Sequence, residues 1–431
     1  MTISSSLNAG VAGLNANASR LATISDNIAN SSTFGYRRVE SNFESMVLSQ
    51  NGGKYAAGGV RATSQRLIDE GGTLVTTSNA TDLAVRGRGF IPVASASEVR
   101  AGNANPEMLL TSTGSFRTDT DGRLVTESGQ VLLGWPANAD GTIPNFPRDT
   151  SNNLEAVRIN SNQLTGEPTT QMTLGVNLPA TETGAGAAGI PQELSVEYFD
   201  NLGRSETVGV TFTPGSSNQW TMTLRDSALG NSVIGEYQLE FDDSRTSGGT
   251  LTTVGQAVGA AGGPYDPATG RLIVNVDGGP MEIDIGLPGE SDGLTQLSDR
   301  FAPLSISKDG TPVGSMTSAE VDENGFVRAF FDNGATKVIA QVPLVDVPNP
   351  NGMASLDSQT YRPSLDSGPF FLWDAGDGPT GEIAGFARQE SATDVAGELT
   401  SMIQTQRAYS SNAKVIQTVS EMLQETTNII R

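Results

Sequence analysis

The stretch VAGELTSMIQTQRAYSSNAKVIQTVSEMLQETTNIIR, residues 395–431, decides how the rest of the chain is read. Stepping from Val395 by four and three residues in turn meets Leu399, Met402, Gln406, Tyr409, Ala413, Ile416, Ser420, Leu423, Thr427 and Ile430. All but Gln406, Ser420 and Thr427 are apolar or aromatic, which is the a/d stripe of a heptad helix. The N-terminus carries the same rhythm at Leu7, Val11, Leu14, Ala18, Leu21 and Ile28, with Ile24 covering a slip at Ser25. Each stripe needs an apolar partner, and the simplest partner for one end is the other. A chain that pairs its termini as a coiled coil loops everything else out between them. An ordinary globular core would also bury such stripes. Their position at the two extremes of the chain, with β-structure between, favours the terminal pair.

Composition narrows the function classes. At 431 residues the chain has room for two or three domains. It is rich in Gly, Ser, Thr, Asn and Asp and poor in aromatics, a profile of β-rich structural proteins. The formal net charge is −22 without any long basic run, so neither nucleic acid nor an anionic membrane is an expected partner. No apolar run is long enough to span a bilayer, and no membrane insertion is expected. Met1-Thr2-Ile3-Ser4 lacks the basic segment and apolar core of a secretory signal, so no cleaved signal peptide is expected. Cysteine and histidine are both absent. That removes disulfides, thiolate nucleophiles, Cys-ligated metals, the usual general base and the Ser-His-Asp triad.

Taken in order, residues 5–30 read as a helix of weak propensity. Gly10 and Gly13 each cost about 1 kcal/mol relative to Ala, and Gly35 is a plausible stop. Residues 33–80 read as a connecting segment, with a short amphipathic helix over Val39, Phe43, Met46 and Val47 and a strand over Val60 to Leu67. From Leu83 the pattern turns to short strands, with hairpin turns at Asp121-Gly122 and Ser128-Gly129. Residues 151–300 read as an all-β insertion with flexible small-residue loops over 183–189 and 247–263. Further hairpin strands follow from Thr311 to Val347. The expected fold is mixed α and β and multidomain. Residues 1–32 with 392–431 form the helical coiled coil, 81–150 with 301–375 an inner β-domain, and 151–300 an outer β-domain.

Several motifs invite chemistry and fail on spacing. Gly87-Arg88-Gly89 lacks the third glycine and the following helix of a nucleotide loop. Asp119-Thr120-Asp121-Gly122 begins like a calcium loop, but no bidentate Glu closes it. Ser305 with Lys308 and Ser411 with Lys414 match a serine-lysine pattern without its companion motifs. Asp242 and Asp243 are adjacent in a strand-like run and would face opposite ways. Turns and solvated sheet ends account for most of these, and Ser411 and Lys414 lie in the heptad helix.

Two long signatures carry a resemblance. Leu7-Asn8-Ala9-Gly10, Ile24 to Asn30 and Thr33-Phe34-Gly35-Tyr36-Arg37 lie at one end. Glu398 to Ile403, Gln406-Arg407-Ala408-Tyr409, Asn412 to Ile416 and Glu421-Met422-Leu423 lie at the other. Together they resemble the bacterial flagellar axial proteins, the rod, hook and hook-associated family. One departure is Ala392, where the family has Asn after Ser391. Glu197 to Gly203 resembles a hook segment, and the 151–300 block sets the chain apart from a distal rod protein, the runner-up. An extracellular β-rich adhesin or glycan-acting enzyme would share the composition but not the heptads.

The resemblance implies a structural subunit without catalysis, cofactor or metal, which polymerises into a curved, flexible, torque-transmitting tube. Its implied partners are further copies of itself in an open helical homopolymer, the distal rod protein and the hook-associated junction protein. The hook cap during assembly and the flagellar export apparatus complete the set. The residues expected at the assembly seam are Leu7, Val11, Leu14, Leu21, Ile28, Val395, Leu399, Met402, Tyr409, Ile416, Leu423 and Ile430.

Overall fold

The computed structural model describes residues 3–46, 58–103, 105–160, 164–256 and 261–429. The chain forms two compact units, one of Met1–Asn160, Ser318–Ala329 and Lys337–Arg431, the other of Ser161–Thr317 and Phe330–Thr336.

The first unit holds the long helices Ile3–Ala29 and Val395–Ile429. Asp394 caps the second helix: its Oδ1 accepts the Ala396 N–H at 3.0 Å, and its carbonyl accepts the Glu398 N–H at 2.9 Å. After the first helix comes a two-stranded antiparallel ribbon, Val39–Ser45 on Val60–Arg66. The expected short helix over Val39, Phe43 and Met46 is therefore a strand through Ser45, with Met46 just past its end; Val47 lies outside the described residues. Period two wins over period 3.6 because alternate residues lie against the N-terminal helix. Ser41 Oγ is 3.2 Å from Thr23 Oγ1, and the Arg20 guanidinium lies 5.6 Å from the Phe43 ring centre.

The body of this unit is an antiparallel array of Asp82–Arg86, Ile91–Ser95, Leu109–Thr111, Thr113–Thr118, Leu124–Thr126 and Gln130–Pro136. The returning chain completes it: Glu382–Gly385 pairs with Asp82–Arg86, and Tyr361 with Leu110. Gly122 and Gly129 supply the positive φ of +79° and +82° that the two hairpin turns need. Phe90, Leu110, Leu133, Trp135, Val345, Tyr361 and Leu372 fill one core.

The second unit is a sandwich of two sheets. One is the meander Gln192–Phe199, Ser205–Pro214, Gln219–Asp226, Ser232–Phe241 and Leu251–Gln256. The last of these strands lies where the sequence suggested a flexible loop; Leu251 is buried and Val254 packs against the core. The other sheet centres on Gln171–Leu178, which runs parallel to Gly279–Asp284 and antiparallel to Ala302–Lys308. Ala302–Lys308 thus pairs within this unit, although the sequence reading put residues after 300 with the first β-domain. Leu174, Tyr198, Phe212, Trp220, Met222, Tyr237, Val274 and Ile283, drawn from both sheets, share one core. Alternation is clean in Arg271–Val276, where every second residue is buried. Asp226 is fully buried, yet it accepts the Tyr198 hydroxyl at 2.8 Å and the N–H groups of Ala228 and Asp277 at 3.0 and 2.9 Å. Burial, and then this carboxylate, push the Tyr198 pKa up.

Because both sheets share that core, Phe212→Ala should destabilise the sandwich by about 3–5 kcal/mol. Urea unfolding followed by Trp220 fluorescence, with Trp135 and Trp373 replaced by Phe, measures it. An unmoved midpoint would show that Phe212 is not part of a shared core.

Candidate assembly surface on the terminal helices

The two helices run antiparallel, with Asn27 opposite Glu398, Gly13 opposite Asn412 and Gly10 opposite Ile416. A Cβ at Gly10 would lie 3.0 Å from Ile416 Cγ1, and one at Gly13 would lie 2.9 Å from Asn412 Nδ2. The glycines that weaken the isolated helix lie where it approaches the other closely. On the C-terminal helix, Glu398 and Thr405 are buried, and Met402, Asn412, Ile416 and Val419 are half-buried. These positions form one face, in which the column 398, 405, 412 and 419 is mostly polar.

The residues named from the heptads divide between two environments. Leu7, Leu14, Leu21, Ile28, Met402 and Ile416 are half-buried. Val11, Val395, Leu399, Tyr409 and Leu423 are exposed, at 43, 39, 47, 43 and 42%. Ile430 lies outside the described residues. Ile403, off the a/d steps, is exposed at 53% and was missed. Counting apolar positions placed the column 399, 406, 413 and 420 at the seam. The structure turns the neighbouring column, one residue earlier, toward the N-terminal helix. Beside the exposed residues, Ala18, Leu21, Ala22 and Ser25 face Gln406, Tyr409 and Ser410 across an open groove of about 620 Å³.

A polar knot fixes the inner end of the pair. Asn27, 1% exposed, donates from Nδ2 to Glu398 Oε1 at 2.9 Å and to the Val39 carbonyl at 2.8 Å. Its Oδ1 accepts the Val39 N–H at 2.8 Å and the Tyr36 hydroxyl at 3.1 Å. One amide thus ties both helices to the ribbon. The Tyr36 hydroxyl also reaches Asp26 Oδ2 at 3.0 Å. Burial, then the Asp26 carboxylate, push the Tyr36 pKa up to about 12. The buried Arg37 donates to Gln389 Oε1 at 3.0 Å, and burial lowers its pKa. Two backbone bonds cross here, Gly35 N–H to the Gln389 carbonyl at 2.7 Å and Ala392 N–H to the Tyr36 carbonyl at 3.0 Å. Gly35 has φ +73°, and a Cβ there would lie 2.8 Å from Thr113 Cγ2. Only glycine meets both demands.

The catalytic look-alikes have structural work. Lys308 pairs with Glu197 at 2.7 Å. Ser411 and Lys414 lie exposed on the helix. Asp119 Oδ1 accepts the N–H groups of Asp121 and Arg123 at 2.9 and 2.8 Å. Asp242 accepts the Ser247 and then the Ser244 hydroxyl, which hold its pKa down at about 2. Among the described residues no cluster of acidic side chains is arranged to hold a metal ion.

Comparison with known proteins converges on the same segments. Residues 7–37 match the family described as Flagella basal body rod protein, and 387–429 match Flagellar basal body rod FlgEFG protein C-terminal. Residues 173–311 match the Flagellar basal body protein FlaE D2 domain. Over 438 residues, covering 100% of both chains, the sequence is 33% identical to the Flagellar hook protein FlgE of Brucella suis biovar 1. The chain belongs to the flagellar hook protein family. It is also 27% identical to the Escherichia coli hook protein FlgE, over 97% of this chain and 98% of that protein. Among solved structures, the Helicobacter pylori flagellar hook protein FlgE2 overlaps it at a TM-score of 0.47 with 14% identity, covering 74% of this chain and 99% of that one. This is a structural family of the motility apparatus, not known to be enzymatic, and it places the chain in the flagellar hook. Among the described residues no helix is long and apolar enough to cross a membrane. The two matched terminal segments supply the side chains of the hook protein's polar knot, and Val39, just past the first of them, adds its backbone.

Two measurements test that knot. Asn27→Ala orphans the Val39 N–H and carbonyl, at about 1–3 kcal/mol for each buried group. Amide exchange over 24–39 should quicken accordingly, and unchanged protection would show the knot to be dispensable. The Tyr36 pKa is raised from 10.0, so its contribution is whole below pH 10 and is lost as the pH climbs through about 12. Helix content should fall across that window in the parent chain and show no matching step in Tyr36→Phe.

Proposed function

We propose that copies of this chain polymerise by open helical symmetry into a curved, flexible tube that joins the rod to the filament and passes motor torque. The terminal helices, paired as a coiled coil, line its inside. The β-body of the first unit and the sandwich of the second form its wall. The distal rod protein would meet one end and the hook-associated junction protein the other, with the hook cap guiding assembly and the export apparatus delivering subunits to the outside of the cell. Neither nucleic acid nor membrane insertion enters this scheme.

The single observation that carries the reading is the surplus of apolar surface on the helix pair. Small and polar residues supply much of the mutual face, and Val11, Val395, Leu399, Ile403 and Tyr409 are left exposed. A neighbouring copy supplies the missing cover, which makes the heptad residues, from Leu7 to Ile28 and from Val395 to Ile430, an assembly seam shared within and between subunits. Each subunit then offers different patches to different neighbours, so contacts propagate without closing.

Leu399→Asp should therefore leave a soluble monomer with normal β-signal and abolish tubes. Burying that carboxylate unpaired costs several kcal/mol at every subunit contact. Leu399→Met should assemble. Sedimentation and electron microscopy under polymerising conditions read the outcome; normal tubes from Leu399→Asp would remove the seam.

A further inference from the structure

Leu365 is the most exposed large apolar residue among those described, at 101%. It is not a loose end. The fully buried Ser367 donates from Oγ to the Ser364 carbonyl at 2.9 Å and receives the Ser364 N–H at 2.9 Å. Ser364 Oγ donates to the Gly352 carbonyl at 2.6 Å, and Asn349 Nδ2 donates to the Asp366 carbonyl at 3.0 Å. Gly352 sits so close that a Cβ there would lie 2.5 Å from the Asp366 carbonyl carbon. A single exposed leucine is commonplace. This one is held out by a braced loop, with the exposed Asp366 beside it.

The same unit carries a matching receptacle, an open cleft of about 600 Å³. Ile143, Phe146 and Val338 give it apolar walls, and Arg148, Arg328 and Asp374 line it too. Arg148 Nη2 binds Asp374 at 2.6 Å, and Arg328 Nε binds Asp322 at 2.9 Å. Each guanidinium has five N–H donors, so both retain donors for a further carboxylate. An apolar wall beside two guanidinium groups is complementary to a leucine followed by an aspartate.

We propose that Leu365 and Asp366 of one copy seat in this cleft of a second copy, Leu365 against Ile143 and Phe146, Asp366 facing Arg148 and Arg328. Knob and cleft are different surfaces, so the contact is heterologous and suits an open array. It rests on the homopolymer reading above and adds a contact between bodies to the helix seam.

The absence of cysteine makes the test clean, since any introduced thiol is unique. Tagged Leu365→Cys chains are mixed with untagged Asn145→Cys chains, Asn145 being an exposed residue of the cleft, and oxidised under polymerising conditions. A tagged–untagged disulfide dimer is expected. Glu155→Cys, in a different cleft of the same unit, should give none. Leu365→Ala should raise the critical concentration for assembly about tenfold, while Leu365→Met stays near the parent value and both monomers keep the parent's circular dichroism. Tubes without the Asn145 cross-link, or with equal cross-linking at Glu155, would overturn the contact alone. Failure of the parent chain to form tubes at all would overturn the homopolymer reading and this contact with it.

Discussion

The structure of the helical end depends on the side-chain amide of Asn27. Buried, it must satisfy two donors and one acceptor, and it does so with the Val39 backbone, Glu398 and the Tyr36 hydroxyl. Those partners come from the segment just after the first helix and from the start of the C-terminal helix. An apolar residue here would pack but would not discriminate between registers of two helices. An amide that is satisfied in only one arrangement does discriminate, because any slip leaves buried polar groups unpaired. Gly10 and Gly13 act in the same direction farther along, since their lack of Cβ lets Ile416 and Asn412 approach at those levels. The helices are held in register by geometry more than by apolar area.

That balance explains what the sequence showed and what it hid. Both helices, the hairpins at Gly122 and Gly129 and most strands were legible, because periodicity and turn residues are local signals. Two elements were misread for local reasons. Val39 to Ser45 carries an apolar spacing compatible with a helix, and only its position along the first helix makes it a strand. Leu251 to Gln256 is Thr- and Gly-rich, and its partner strand Ser232–Phe241 supplies the order. At the candidate surface, heptad counting found the right helix, put Met402 and Ile416 on the inner face, and displaced its other column by one residue. It assumed that apolar residues meet the intramolecular partner. Here Glu398, Thr405 and Asn412 occupy that face, and Leu399 and Ile403 are turned outward. The signal that would have found the knot was the polar cluster at 26–27 and 36–37 set against Gln389 and Glu398, which no periodicity reports.

Charge distribution bears on the same division. A chain with a net charge of −22 repels its copies, so homomeric contacts are cheapest where charge is sparse. Through Asn30, Arg20 and Asp26 are the only charged side chains, and from Leu399 to Ser420 only Arg407 and Lys414 are charged. The helix pair therefore brings together sparse charge and surplus apolar surface, the two properties that association between like chains requires. Strands of the second unit carry many more carboxylates, among them Glu193, Glu197, Glu236, Glu240, Glu282 and Asp284.

Each β core is built from its own set of buried residues. The sandwich closes its own core around Phe212 and Trp220, and the β-body closes another around Phe90 and Tyr361. Neither core draws on the terminal helices, whose cohesion comes from Asn27, the two glycines and the half-buried heptad residues. At the helix pair a single methyl group at Gly13 would meet Asn412 at 2.9 Å. The terminal segments are constrained residue by residue. The sandwich is constrained chiefly by the volume and alternation of its core.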